Sequence, residues 1–267
     1  MVAGAIFSGG CSKREERYNV DVQTVVKAAD GLDLQAVGDL LKRAKDAEQL
    51  EQLLNNSGEG INNLDLDENG KVDYIQVDEY GSGDSRGFSF TVETSPGEEQ
   101  EIATIEIEKS GSDANVQIHG NSQIYGHNHY YRHRFGLADY LLLGYIFRPH
   151  PFYFSPWHYG AYPPYYRSYG TVSRTAYRNR TASARRSAGM TRTNTSSLGS
   201  RPRSPNAGKT ASNIRAPLNN PTASQKSFQS RNPSKSVRAG GFGRNRPSRP
   251  SARGSNMMRS SYGFRGK

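Results

Sequence analysis

The chain has 267 residues, only 34% of them hydrophobic, and a formal net charge of +10. This value hides two oppositely charged halves: residues 1–139 contain all 25 acidic residues and 12 basic ones, net −13, while residues 140–267 contain 23 basic residues and no acid. Cys11 is the only cysteine, which excludes an internal disulfide and with it a disulfide-stapled secreted module. The sequence contains no phosphate-binding glycine loop, CxxC pair or HExxH motif, and we expect a protein that is not an enzyme.

The first 20 residues form a segment that resembles the signal of a bacterial lipoprotein. Residues 2–10 are apolar or small and end in Gly10-Cys11, as such signals do. The resemblance implies that Cys11 is acylated, and Ser12 after the cysteine implies the outer membrane of a Gram-negative cell. The alternative is an uncleaved cytosolic N-terminus in which Cys11 is an ordinary thiol.

Residues 21–56 have the pattern of short amphipathic helices, because their apolar residues recur at intervals of three and four. Asp30-Gly31 separates the first predicted helix from the second. Asp46, followed three residues later by Gln49, predicts an N-cap and a partial capping box for the third. The apolar positions are Val22, Val25 and Val26, then Leu34, Val37, Leu40, Leu41 and Ala44, then Leu50, Leu53 and Leu54.

Beyond Ile61 the apolar pattern changes to a period of two, which is typical of strands. Alternating runs at residues 72–77, 88–92 and 103–107 are separated by turn residues, and a fourth strand is expected at residues 116–119. The sequence therefore predicts an acidic α+β domain at residues 21–135, in which short N-terminal helices precede a small antiparallel β-meander.

The most informative segment is an Asp-rich loop before the first strand. Its residues match the ligand spacing of a calcium-binding EF-hand loop: Asp65, Asp67, Asn69, the Lys71 carbonyl and Asp73, with Gly70 at the sharp turn. Gln76 replaces the bidentate glutamate and a strand follows, so we expect a β-hairpin version of the loop that binds calcium in about the 10⁻⁴ to 10⁻³ M range. The alternative is that Asn69-Gly70 is only a two-residue hairpin turn.

His127, His129 and His133 have a spacing that could present imidazoles to a metal ion. Their neighbours are cationic and aromatic, with no acid or cysteine close in sequence, so we interpret the segment as a solvated linker.

Residues 136–168 form an apolar and aromatic segment that is interrupted by five prolines and is too short to span a bilayer. We expect a helix packed on the sheet and then an aromatic surface loop, with an interfacial or partner-binding patch as the alternative.

Residues 169–267 form a basic tail of mostly small and polar residues, with too few aliphatic side chains for a core, so disorder is predicted. The charge should attract polyanions. Residues 240–244 and 262–266 resemble RGG-type RNA-binding segments. The other candidate partners are an anionic envelope surface (lipopolysaccharide, phospholipid or wall polymer) and the acidic domain of the chain itself; a solvated spacer without a ligand remains open.

Residues 20–126 resemble uncharacterised bacterial exported proteins in which an Asp-rich loop precedes a small sheet, a resemblance that implies no known activity. The sequence thus predicts a calcium-binding envelope lipoprotein, periplasmic and tethered to the membrane through Cys11, whose tail binds anionic surfaces. The alternative is an RGG-like nucleic-acid-binding protein with a structural acidic domain, located in the cytoplasm if Cys11 is not lipidated.

Overall fold

The computed structural model describes residues 31–125 and 129–211. Cys11, the first predicted helix, His127 and the two RGG-like elements therefore lie outside the described residues.

The described residues form an α+β fold, which confirms the predicted class. The helices are α1 (Leu34–Arg43), α2 (Ala47–Leu54), α3 (Ser122–Tyr125), α4 (Leu141–Ile146) and α5 (Arg174–Ala188). The strands are β1 (Ile75–Ser82), β2 (Ser85–Ser95), β3 (Glu98–Ser110), β4 (Asp113–Gly120), β5 (Tyr130–Gly136) and β6 (Thr191–Thr193). They form one antiparallel sheet in the order β1-β2-β3-β4-β5-β6.

Each of the two N-terminal helices begins at an aspartate. The Asp33 carboxylate accepts from the Ala36 amide at 3.1 Å, and the Asp46 carboxylate accepts from the Gln49 amide at 2.8 Å. Both contacts satisfy amides that have no partner within the helix. The apolar stripe of each helix packs on the sheet, with Leu40 and Leu50 fully buried.

The two faces of the sheet differ in polarity because side chains alternate along each strand. One face supplies the core, with Phe88, Phe90 and Ile105 fully buried under the helices. The opposite face is acidic, and Glu101 and Glu106 are nevertheless only 7% and 4% exposed. Another part of the chain must therefore cover this face.

The aromatic segment contains the expected helix followed by a surface loop, and the helix packs against α1. Leu142, Leu143 and Ile146 of α4 are buried in the core. The loop then runs along the edge of β1, where the Glu79 amide donates to the Tyr153 carbonyl at 2.8 Å. Phe154 remains 58% exposed. No helix in the described part of the chain is long and apolar enough to cross a membrane.

The prediction of disorder from residue 169 onward is wrong for residues 170–211. Helix α5 packs on α1 and buries Tyr177 and Ala188, and β6 adds to the edge of the sheet. Met190 then packs on Gly38. A Cβ atom at position 38 would lie only 2.6 Å from the Met190 Cγ atom, which is too close for an ordinary contact. Residues 212–267 lie outside the described residues.

Residues 195–211 cover the acidic face of the sheet, which gives the physical reason for their order. The Arg201 guanidinium binds both oxygens of Glu106 at 3.1 Å. Ser204 donates to Glu101 at 2.5 Å, and the Asn206 side chain donates to Asp78 at 2.8 Å. Composition predicted disorder because the segment has no core of its own. It is ordered instead by polar contacts with residues that lie 95 to 128 positions earlier in the chain.

Candidate functional site

The Asp-rich loop connects α2 to β1 and is closed at its base by the Asp73 amide, which donates to the Leu64 carbonyl at 2.7 Å. The backbone of Glu68 and Gly70 is in the left-handed region, at φ of 61° and 82°. In a type I′ turn the first central residue must have a positive φ, but Asn69 does not. The interpretation of Asn69-Gly70 as a two-residue hairpin turn is therefore wrong.

Two of the predicted ligands, Asp65 and Asp67, meet at the Asn69 amide. The two carboxylate oxygens of Asp65 accept from the amides of Asn69 and Gly70 at 2.9 and 3.0 Å. The Asp67 carboxylate accepts from the Asn69 amide at 3.1 Å and from its side chain at 2.9 Å. Each carboxylate oxygen has a second lone pair, so these contacts fix the side chains without using all their capacity to bind a cation.

Asp73 lies on the inner side of the loop, where its carboxylate accepts from the Leu66 amide at 2.6 Å. Burial, with smaller contributions from the charges of Asp67 and Asp65, raises the pKa of Asp73 to about 8, although the hydrogen bond from the Leu66 amide lowers it. Burial also raises the pKa of Asp65, with a contribution from Asp67. Asp73 is therefore largely protonated near neutral pH, and a cation that it binds would displace that proton.

The remaining predicted ligands are the Asn69 side-chain oxygen and the Lys71 carbonyl. Asn69 turns its side-chain oxygen to the Lys71 amide at 2.8 Å, and Lys71 forms a β-bridge with Gly170. Over residues 31–125 and 129–211, no group of three or more His, Cys, Asp or Glu side chains has an arrangement that could hold a metal ion. The donor chemistry fits calcium, whereas a complete cage is not assembled.

The same loop is the attachment point of the chain that leads into α5. The Val72 amide donates to the Tyr169 carbonyl at 2.8 Å, and the Thr171 amide donates to the Gly70 carbonyl at 3.3 Å. Asn63 exchanges two hydrogen bonds with the backbone of Val172, at 3.1 and 2.8 Å. These contacts hold the start of the basic segment against the loop.

Helix α5 and strand β6 carry several exposed arginines. These are Arg174, Arg178, Arg180, Arg186 and Arg192. Within the described residues, no carboxylate lies in salt-bridge range of Arg178, Arg180, Arg186 or Arg192. In contrast, Arg185 pairs with Asp33 at 3.1 Å. Sequence reasoning placed all this charge in a disordered tail and missed that a helix organises part of it.

The histidine segment is not the solvated linker that the sequence suggested, because residues 130–136 are strand β5. His133 contacts the Gly189 carbonyl at 3.0 Å through its Nδ1 atom. His129 lies apart from it, and burial lowers its pKa, with the positive charge of Arg192 adding to the effect. The two described histidines therefore do not form a shared site.

Two buried carboxylates were also missed by sequence reasoning. Glu51 of α2 is fully buried and accepts from Tyr74, Ser155 and the Val77 amide at 2.7, 3.0 and 2.9 Å. Glu79 is 1% exposed and contacts His150 at 2.8 Å. Both attach the aromatic segment to the sheet. The sequence alternation of β1 did not predict that Glu79 is buried, because a carboxylate is not expected at a core-facing position.

One sequence pattern looks catalytic but does not have the required geometry. Residues 83–87 have the spacing of a nucleophile elbow, Gly-x-Ser-x-Gly, around Ser85. An elbow requires a turn from a strand into a helix. Here the turn joins β1 to β2 in a hairpin, where Ser82 pairs with Ser85, so Ser85 is not held in an elbow.

No protein-family model, curated protein or solved structure was found that matches this chain. The proposals below therefore depend on the geometry and charge of its own residues.

Proposed function

We propose that this chain is a non-enzymatic, calcium-binding protein of the bacterial cell envelope that binds anionic surfaces through its basic C-terminal half. The proposal includes acylation of Cys11 and a periplasmic, outer-membrane location. Its surface partners are lipopolysaccharide, phospholipid or anionic wall polymer.

The observation that supports surface binding is the set of arginines that lack a carboxylate partner. Residues 195–211 already cover the acidic face of the sheet, using Arg201 against Glu106 and Lys209 against Glu99. Within the described chain, no such partner lies in range of Arg178, Arg180, Arg186 or Arg192. Clustered, unpaired guanidinium groups attract polyanions and pair with phosphate or carboxylate groups.

The test is sedimentation of the full-length chain with vesicles that contain anionic phospholipid, over a series of salt concentrations. Replacing Arg178, Arg180, Arg186 and Arg192 together by Gln should weaken binding by at least tenfold, since each basic residue near such a surface contributes about 1 kcal/mol. The matched control replaces Arg244, Arg246, Arg249 and Arg253 by Gln, which removes the same charge. Equal weakening by the two variants would contradict a dedicated role for the arginines of α5 and β6.

Calcium binding is supported by the convergence of Asp65 and Asp67 on the Asn69 amide. Asp65, Asp67, Asn69 and Asp73 would supply side-chain oxygens, and Lys71 its carbonyl. Such a loop would bind weakly, in about the millimolar range of extracellular calcium modules, and would stabilise the folded state by mass action.

Location separates this proposal from the RGG-like alternative, because RNA is not available in the periplasm. Cells that express the native gene would be labelled with an alkyne fatty acid, with Cys11→Ser as the control. We expect label on the native chain and none on the variant. An unlabelled chain in the cytosolic fraction that binds single-stranded RNA would contradict the proposal and favour the alternative.

A further inference from the structure

A cavity of about 240 Å³ lies between the N-terminus of α1, helix α5 and the paired strands β5 and β6. Its lining includes Arg178 and Arg185 of α5, Arg192 of β6, Tyr131 of β5 and the nearby His129. The first residues of α1 also line it, so the positive end of that helix dipole faces the same space. Elements from both charge halves of the chain thus build one concave, cationic site.

The charge of the cavity is unbalanced. Among the described residues, Asp33 is the only carboxylate that lines the cavity, and it already pairs with Arg185 at 3.1 Å and caps α1. Arg185 is fixed further by donating to the Arg178 carbonyl at 2.9 Å. Arg178 and Arg192 have no carboxylate in salt-bridge range within the described chain. Three guanidinium groups against one carboxylate leave a net charge of about +2, which matches a phosphate monoester near neutral pH.

The neighbouring groups are also affected by this positive charge. The charge of Arg192 contributes to lowering the pKa of His129, after burial. Tyr131 lies beside both Arg192 and Arg185, whose charges oppose the rise that burial causes in its pKa. Guanidinium groups that converge on one space provide planar, paired donors for phosphate oxygens, whereas a lysine cluster would provide only point charges.

We infer that this cavity binds the phosphate monoester group of an envelope sugar or lipid, held by Arg178 and Arg192 with Arg185 behind them. The site rests on the proposed function for the source of the phosphate, and on the cavity itself for the chemistry. This site differs from general polyanion attraction because it binds one kind of group at one position.

The first test is isothermal titration calorimetry of the full-length chain with glucose 6-phosphate, with glucose as the uncharged control. We expect binding that glucose does not reproduce. Arg178→Gln and Arg192→Gln should each weaken it about tenfold or more, as expected for the loss of a charge-assisted hydrogen bond. Arg186→Gln is the matched control, because Arg186 is an exposed arginine of the same helix that does not line the cavity.

The second readout is the NMR titration of His129. A dianion bound beside Arg192 should raise the pKa of this ring, and Arg192→Gln should remove that response to glucose 6-phosphate. Thermal unfolding of each variant checks that the fold is retained. The inference is overturned if the native chain does not bind glucose 6-phosphate at millimolar concentration, or if Arg186→Gln weakens binding as much as Arg192→Gln does.

The vesicle assay separates failure of this site from failure of the proposed function. Loss of vesicle binding in the four-arginine variant, without any binding of glucose 6-phosphate, would leave the surface proposal standing and overturn the phosphate site. Competition by vesicles that contain phosphatidic acid would support a lipid source. Binding of glucose 6-phosphate without such competition would support a soluble or sugar-borne source, with the cavity assignment retained.

Discussion

Glu51 provides the sharpest test of how the aromatic segment is held to the core. Its carboxylate is fully buried and accepts from Tyr74, Ser155 and the Val77 amide. Burial raises the pKa of Glu51 to about 7; the three hydrogen bonds oppose this rise, and the charge of Asp78 adds to it. The folded state therefore binds a proton more tightly than the unfolded state, in which an ordinary glutamate has a pKa of about 4.3.

The sign and size of the effect follow by linkage. Between about pH 4.5 and 7 the folded chain retains a proton that the unfolded chain has lost, so the free energy of unfolding falls as pH rises. The contribution is fully present below this window and is lost through it, amounting to about 3 kcal/mol at 1.36 kcal/mol for each unit of pKa. Above about pH 8 the loss attributable to Glu51 is complete.

Glu51→Gln should remove this pH dependence. A glutamine can accept from the Val77 amide and donate to the hydroxyl groups of Tyr74 and Ser155, which can rotate to accept. Urea unfolding at pH 5 should give similar free energies for the variant and the native chain. At pH 8.5 the variant should be more stable, by up to about 3 kcal/mol.

The control is Glu48→Gln, which removes an exposed carboxylate from the same helix. Circular dichroism follows the whole fold, and the fluorescence of Trp157, the only tryptophan, follows the aromatic segment. Parallel pH curves for native chain and Glu51→Gln, with no gain at pH 8.5, would refute the assignment of a buried ionisable group at this position.

Three further expectations concern other parts of the fold. Millimolar calcium should raise Tm, measured by calorimetry. The double variant Asp65→Ala/Asp67→Ala should abolish this rise, and the control Glu48→Ala/Asp84→Ala should retain it. A rise that persists in the first variant would exclude this loop as the calcium site. Tyr177→Phe should cost about 1–3 kcal/mol in urea unfolding, because the buried hydroxyl accepts from the Asp33 amide and donates to the Ile61 carbonyl, both at 2.6 Å. A chain ending at residue 194 should lose about 3 kcal/mol or more relative to one ending at residue 211, because Glu101 loses Ser204 and Glu106 loses Arg201. Equal unfolding curves would contradict the role of residues 195–211.

The local elements could be predicted because their signals are local. The cap at Asp46, the alternation around Phe88 and Phe90, and the turn residues between strands each act within a few positions. The start of β1 at Ile75, later than the apolar alternation from residue 72 suggests, has a non-local cause. Val72 donates to Tyr169 instead of joining the ladder with β2.

The candidate sites could be predicted only in part, because sequence patterns show local spacing but not contacts between distant segments. The spacing of Asp65, Asp67 and Asp73 is visible in sequence, and these residues do lie in one loop. The cavity brings together Asp33, His129 and Arg192, which are far apart along the chain. No periodicity links such positions, and the single unusual signal was the absence of acid after Asp139.

The separation of charge along the chain is best explained by the way the sheet is covered. An acidic sheet face must be paired or remain in water, because burying a carboxylate without a partner costs several kcal/mol. Residues 195–211 solve this with few apolar side chains, by placing Arg201 and Lys209 opposite Glu106 and Glu99. Part of the basic half therefore stabilises the fold, and the charge available to an outside partner is the charge that remains on α5 and β6. For this reason the net charge of the sequence is a poor guide to its binding strength: substitutions on α5 should change affinity for an anion, whereas the same loss of charge at Arg201 should change stability.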